Sequence, residues 1–371
     1  MELFAKWTVN PAHFSGTGTE ADPYLIKSAE GWNVFCNVLL DGANYNHFIG
    51  KTVKLDADIT VSRMAGSTGF QNYHPFCGTF DGNHKTITFN KGTANSPESD
   101  HSALFAATEA SFTGSNDIEV VIKDLTVDGT IYTSSDCAAG LVGSASARLT
   151  ITGCQSNITI HTSSQYAAGF VSSSSDILNI TDCVSSATII SSRDGDGYHG
   201  GFLGQSNRYS SNTITGCLFD GKLLTTNNTQ NCGGFIGWYS PNSSSNNWSN
   251  DIIVNSICKP APLESGETAI TSGSPFVCWN PEDATNKPKI TNSYYFEASV
   301  PNTQLLGKAA HSIAAGHDVT MSIVGTPNQY NLSSITYFDT STQYLTLQNE
   351  CLQFANELYA GLGDEIGRAH V

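Results

Sequence analysis

Four segments of this chain align without a gap: IEVVIKDLTVDGTI, ARLTITGCQSNITI, DILNITDCVSSATI and SSNTITGCLFDGKL. Ile122, Ile151, Ile180 and Ile214 precede Leu125, Cys154, Cys183 and Cys217 by three positions, and Ile131, Ile160, Ile189 and Leu223 follow these by six. Glycine tetrads punctuate the series: Gly140-Leu-Val-Gly143, Gly169-Phe-Val-Ser172, Gly201-Phe-Leu-Gly204 and Gly234-Phe-Ile-Gly237, whose first residues are 29, 32 and 33 positions apart. A period near 30 residues marks a solenoid, in which each copy buries its apolar face only against its neighbours.

Within one copy, short apolar runs such as GLV, LTI and ITI are separated by Gly, Ser, Asn and Asp. Their β-branched content and alternation argue for strands rather than helices. Three short strands bent at such turns close one triangular rung, and stacking rungs about 4.8 Å apart pairs each strand with its equivalents above and below. The expected fold is an all-β parallel β-helix with three strands per rung. Its interior is built of columns, so Leu125, Cys154, Cys183 and Cys217 should stack as one buried ladder.

A length of 371 residues suits one elongated solenoid as well as it suits two or three ordinary domains. Only 13% of the residues are charged, and the net charge is −16. That balance repels nucleic-acid backbones and anionic membranes, so neither is an expected partner. No apolar run approaches the roughly 20 residues that span a bilayer, and MELFAKWTVN lacks the pattern of a signal peptide. None of the ten cysteines forms a CxxC pair. We read most of them as small buried hydrophobes rather than disulfide partners or metal ligands.

Open β-helix ends expose unpaired strand edges and need covering. SAEGWNVFCNVLLDG supplies a cap: Ser28 can start a helix over residues 28–41 whose Trp32, Phe35, Cys36, Leu39 and Leu40 share one face, with Gly42 beyond its end. Strands then begin near KTVKLDADITV, continue through GTFDGNHKTITF and run to ITNSYYFEA near Ala298.

These stretches, together with FSGTGTEADPYLIKSAEGWNVF and the series GLVG, GFLG, GFIG and ITGC, resemble bacterial surface proteins with GLUG-motif repeats, over about residues 14–298. The resemblance implies a right-handed parallel β-helix in a large secreted or wall-attached, adhesin-like protein. The sequence departs from that pattern at His84, where the family has glycine after DGN, and at Ser172, which closes the second tetrad. MELFAKW resembles the closing strand of a Listeria–Bacteroides repeat, so residues 1–10 are expected to end a preceding small module. The β-helix then occupies 11–300, and 301–365 open a following β-rich module. Residues 366–371, IGRAHV, look like a translated sequencing adapter, and a metagenomic fragment cut at both ends is expected. On that expectation the chain is a monomeric segment of a longer protein, with its signal and anchor lost by truncation.

Chemistry is sparse in this sequence. SRDGDGYHGG crowds Arg193, Asp194, Asp196, Tyr198 and His199 into one turn, where Asp194 and Asp196 are the candidate calcium ligands. Asp and Gly are also what a tight turn needs, and the matching turns YTSSDCAAG and HTSSQYAAG carry no equivalent acid pair. Gly50-Lys51-Thr52 lacks the first glycine of a phosphate loop, and neither HExxH nor GxSxG occurs. The fourth tetrad is followed by an insertion, WYSPNSSSNNWSN, that puts Trp238, Tyr239 and Trp248 in a polar setting suited to stacking on sugars or anchoring a protein. Tyr166 and Tyr198 each stand three residues before a tetrad glycine and should form a stacked surface column whose expected role is stabilisation.

The expected function is therefore a non-catalytic extracellular spacer with no catalytic residue and no required cofactor, presenting loops that bind glycan or a cell-surface protein. The alternatives are a carbohydrate-active β-helix of the polysaccharide lyase or glycoside hydrolase type, assisted by calcium, and a purely structural stalk.

Overall fold

The computed structural model describes residues 12–40, 48–69, 72–109, 119–207, 210–239, 251–270, 273–279, 288–295, 319–323, 335–337 and 345–347. The expected segments 1–10 and 366–371 lie outside the described residues. The periodic segments form a parallel β-solenoid with three principal faces. One face stacks Phe105–Thr108, Val142–Ala145, Val171–Ser174, Leu203–Ser206, Ile236–Tyr239 and Val277–Trp279; we call it the tetrad sheet. The second stacks Val120–Asp128, Leu149–Thr152, Ile177–Thr181, Ser211–Thr215, Ile252–Val254 and Lys289–Tyr295, and the third Thr130–Thr133, Thr159–Thr162, Thr188–Ser191 and Lys222–Thr225. Val319–Ile323 adds in parallel to Lys289–Tyr295. Beyond the three expected strands, two-residue pairings clamp the corners, such as Ala138–Ala139 on Ala167–Ala168 and Gln155–Ser156 on Val184–Ser185.

The register reproduces the aligned columns. Ile122, Ile151, Ile180 and Ile214 pair in succession, and the column continues to Ile253 and Ile290. Ile131, Ile160, Ile189 and Leu223 do the same on the third face. Both sets are buried, because a period-two strand with one wet face must put alternate residues inside.

Cys154, Cys183 and Cys217 are sealed from solvent above Leu125. They do more than fill space. The Cys154 N–H donates to Cys183 Sγ at 3.3 Å, and the Cys217 N–H donates to Ser256 Oγ at 3.2 Å, so each side chain satisfies a turn amide from the neighbouring rung. Burial pushes the Cys154 and Cys183 thiols well above their usual range, which keeps them protonated and unreactive. All nine described cysteines are free thiols.

The tetrad glycines follow from rung spacing. A Cβ on Gly140 would sit 2.2 Å from the Gly169 carbonyl oxygen, one on Gly169 2.3 Å from that of Gly201, and one on Gly201 2.2 Å from that of Gly234. Phe170, Phe202 and Phe235, directly after Gly169, Gly201 and Gly234, stack at 5.1 and 4.8 Å, and Phe276 continues the column at 5.1 Å. Gly201→Ala, whose methyl would also meet the Phe219 ring, is expected to lower stability by about 1–3 kcal/mol. An unchanged urea midpoint would contradict this close approach. His84, where the GLUG resemblance has glycine, adopts φ +56°, the left-handed region that favours glycine.

The cap is the helix α1, Ala29–Leu40. Ser28 Oγ accepts the Gly31 N–H at 3.2 Å, the expected N-cap, and also bonds His13 Nδ1 at 2.9 Å. Trp32, Phe35, Cys36 and Leu39 are buried as expected. Leu40 is only half-buried, because it lies at the edge of the apolar stripe where the helix ends. Gly42 falls outside the described residues. Phe35 packs on Phe48 at 5.0 Å and Phe76 at 5.8 Å, so an aromatic plug joins α1 to the first rungs. No described helix is long and apolar enough to cross a membrane.

Candidate functional site: an aromatic row at one corner

Four of the residues singled out, Tyr166, Tyr198, Trp238 and Asp196, come together at one corner beside the tetrad sheet. Trp238 lies opposite Gln205 in register and is half-buried. Its ring is 4.4 Å from that of Tyr198, and Tyr198 is 6.0 Å from Tyr166 with the two planes within 15°. Three rings from three successive rungs thus form one row along the solenoid axis. The expected Tyr166–Tyr198 column is present, and Trp238 extends it.

Turn geometry places the two tyrosines. Tyr166 and Tyr198 have φ of +62° and +52°, and Asn231, which stands at the same offset before Gly234, has +54°. The Tyr166 N–H donates to the Gly197 carbonyl, and the Tyr198 N–H to that of Asn231, so the corner hydrogen bonds run from rung to rung. A left-handed backbone is uncommon for an aromatic residue and costs of order 1 kcal/mol or more. Two tyrosines held this way on adjacent rungs mark the corner as a candidate site.

Asp196 organises the polar edge of the row. Its Oδ2 accepts the Tyr198 hydroxyl at 2.8 Å, and its Oδ1 accepts Asn231 Nδ2 at 2.6 Å. Its carbonyl oxygen accepts Arg193 Nε at 2.6 Å and Gln165 Nε2 at 3.2 Å. Burial, and then the bond to Asp196, hold the Tyr198 phenol proton well above its ordinary value, so Tyr198 remains a neutral donor. Asp194 is exposed, and its Oδ1 accepts Asn228 Nδ2 at 3.3 Å. The two candidate calcium ligands thus serve different side-chain donors. Among the described residues, no group of three or more His, Cys, Asp or Glu gathers as a metal site would require.

Of the other expected site residues, Tyr239 falls elsewhere. Tyr239 is fully buried, in an inner column with Ala145, Ser174 and Ser206. It is corrected from a ligand-binding residue to a core residue, because strand geometry turns it inward where its neighbour Trp238 turns outward. Trp248 lies outside the described residues. Asn231 and Gln165 were not expected at the site. Asn231 was legible by its offset, but as asparagine it reads as an ordinary turn residue.

His199 sits beside the row and makes a close serine–histidine pair. Its Nε2 is 2.9 Å from Ser191 Oγ, and its Nδ1 accepts the Ala167 N–H at 3.2 Å. That places the ring proton on Nε2, where it is donated to Ser191, so the ring cannot act as a base toward that hydroxyl. Burial lowers the His199 pKa to about 3. The pair is a neutral internal hydrogen bond.

Rung geometry, capping helix and stacked columns together define a parallel β-solenoid. The sequence matches no protein-family model and no curated protein. Its fold is similar to the crystal structure of a putative immunoglobulin A1 protease from Bacteroides ovatus, with a TM-score of 0.55 and 16% identity over 91% of this chain and 95% of that one. At that identity the likeness is one of fold.

Proposed function

We propose that this chain is a non-catalytic, β-helical segment of an extracellular, adhesin-like bacterial surface protein, which spaces and presents a carbohydrate-binding row. One observation carries the reading: the Tyr166–Tyr198–Trp238 row, edged by Asp196, Asn231 and Gln165. Aromatic faces stack on the C–H faces of sugar rings, while carboxylate and amide groups beside them take up hydroxyls. Rings already packed on one another lose little conformational freedom on binding, which favours affinity. The neighbour's name raises a proteolytic reading, which the Ser191–His199 geometry does not favour.

The test is a glycan array probed with the full chain and with Trp238→Ala. Trp238→Ala is expected to weaken binding at least about tenfold, as for a central aromatic anchor, without altering the fold by circular dichroism. Binding that survives this substitution unchanged defeats the proposal, as does binding confined to protein ligands. The bound sugars are also assayed for calcium-dependent cleavage, which the carbohydrate-active alternative requires.

A further inference from the structure

A second inner column of the second sheet changes chemistry partway along the molecule. Val120, Leu149 and Leu178 pair in succession, and all three are buried. Leu178 then pairs with Asn212. Because Thr213 pairs with Ile252, Asp251 stands next in line. Asn212 and Asp251, each 0% exposed, occupy positions that elsewhere hold aliphatic side chains.

Their hydrogen bonds are incomplete in a complementary way. Asn212 Nδ2 donates to Asp251 Oδ1 at 2.7 Å and lies 2.9 and 3.0 Å from Ser206 Oγ and Ser210 Oγ. Two atoms of the pair, Asn212 Oδ1 and Asp251 Oδ2, are buried with no partner among the described residues. Both are acceptors when Asp251 is ionised, so neither can satisfy the other. One proton on Asp251 Oδ2 turns the two edges into an acid–amide ring, with N–H···O on one side and O–H···O on the other. An unpaired buried acceptor is costly, and an unpaired buried charge more so.

We infer that Asp251 is kept as a neutral carboxylic acid paired with Asn212, forming a proton-dependent latch in the rung that supplies Trp238. Burial pushes the Asp251 carboxyl up to about 7, against the opposing bonds from Asn212 and Ser206. No charged neighbour among the described residues contributes to that shift. Among the described residues, the facing groups from the adjoining strands and turn, Asn212, Ser206 and Ser210, are neutral, and the tetrad-sheet column beside them runs on to the phenol of Tyr239.

The sign follows from proton linkage. Between the ordinary carboxylate range and about pH 7 the folded chain holds a proton that the unfolded chain releases. The latch therefore stabilises fully at low pH, and its contribution is lost as pH rises through 7. Buried His199 acts in the opposite sense, since its low pKa makes acidification unfavourable to the fold. The useful quantity is consequently the difference between two pH profiles.

Urea unfolding of the full chain and of Asp251→Asn, from pH 4.5 to 8.5, tests the inference. The amide retains a donor for Asn212 Oδ1 and an acceptor for Asn212 Nδ2 but has no proton to lose. The unfolding constant of the wild-type chain relative to the variant is expected to rise by up to about tenfold per pH unit up to pH 7 and then level off. Parallel profiles overturn the latch. Should the variant fail to fold, the assigned Asp251 carboxyl carbon in the wild-type NMR spectrum decides: titration near neutrality supports the latch, and titration in the ordinary carboxylate range overturns it.

Discussion

Replacing Trp32 with alanine is expected to remove about 3–5 kcal/mol of stability and to expose the first rung of the solenoid. Trp32 is wholly buried, with its ring 5.3 Å from Phe35, 6.1 Å from Phe80 and 6.0 Å from Phe105. It also donates from Nε1 to the Arg63 carbonyl at 2.7 Å, and truncation would leave that acceptor without this donor. The plug it anchors is the only helix-to-sheet junction among the described residues, so no second element can take over the load. Urea titration reads the loss, and light scattering reads the association of edges that α1 no longer screens. A change below about 1 kcal/mol would show that the helix rests on the solenoid without capping it.

Ile180→Ala should cost roughly 2–5 kcal/mol, because the cavity it leaves is enclosed above and below by Ile214 and Ile151 and cannot collapse without shifting two rungs. Asp194→Ala, at an exposed turn position whose carboxylate accepts a bond from Asn228, should stay within about 0.5 kcal/mol. Comparable losses at the two sites would mean that the aligned columns do not face inward.

The contrast between these two positions shows what the residues alone make legible. A solenoid repeats its environment, so a fixed offset in sequence becomes a fixed neighbour in space, and Ile122, Ile151, Ile180 and Ile214 could be stacked by counting. The same logic extends to the paired tyrosines. It weakens at Trp238 and Tyr239, because the residues at the matching offsets, Ser144 with Ala145 and Ser173 with Ser174, are small and do not say which side is wet. It reaches Asn212 and Asp251 as well, whose offset from Ile214 and Ile253 matches an aliphatic column. A polar residue in that column was visible in principle, whereas the hydrogen bonding between the two required coordinates. Leu40 exemplifies a smaller gap, since helical periodicity marks the face of a helix more sharply than the point where burial stops.

One position in the tetrad column has a wider consequence. By register, Phe276 stacks on Phe235 and Val277 pairs with Ile236, so the slot of the leading glycine passes from Gly234 to Pro275. At Gly140, Gly169 and Gly201 that slot faces the carbonyl of the following rung at a distance that excludes any side-chain carbon. Proline brings a ring and offers no amide hydrogen. A further layer laid on Pro275 therefore cannot repeat the fit that joins the earlier ones. Glycine in this slot makes the tightest joint between layers, and at Pro275 that joint is built from different parts.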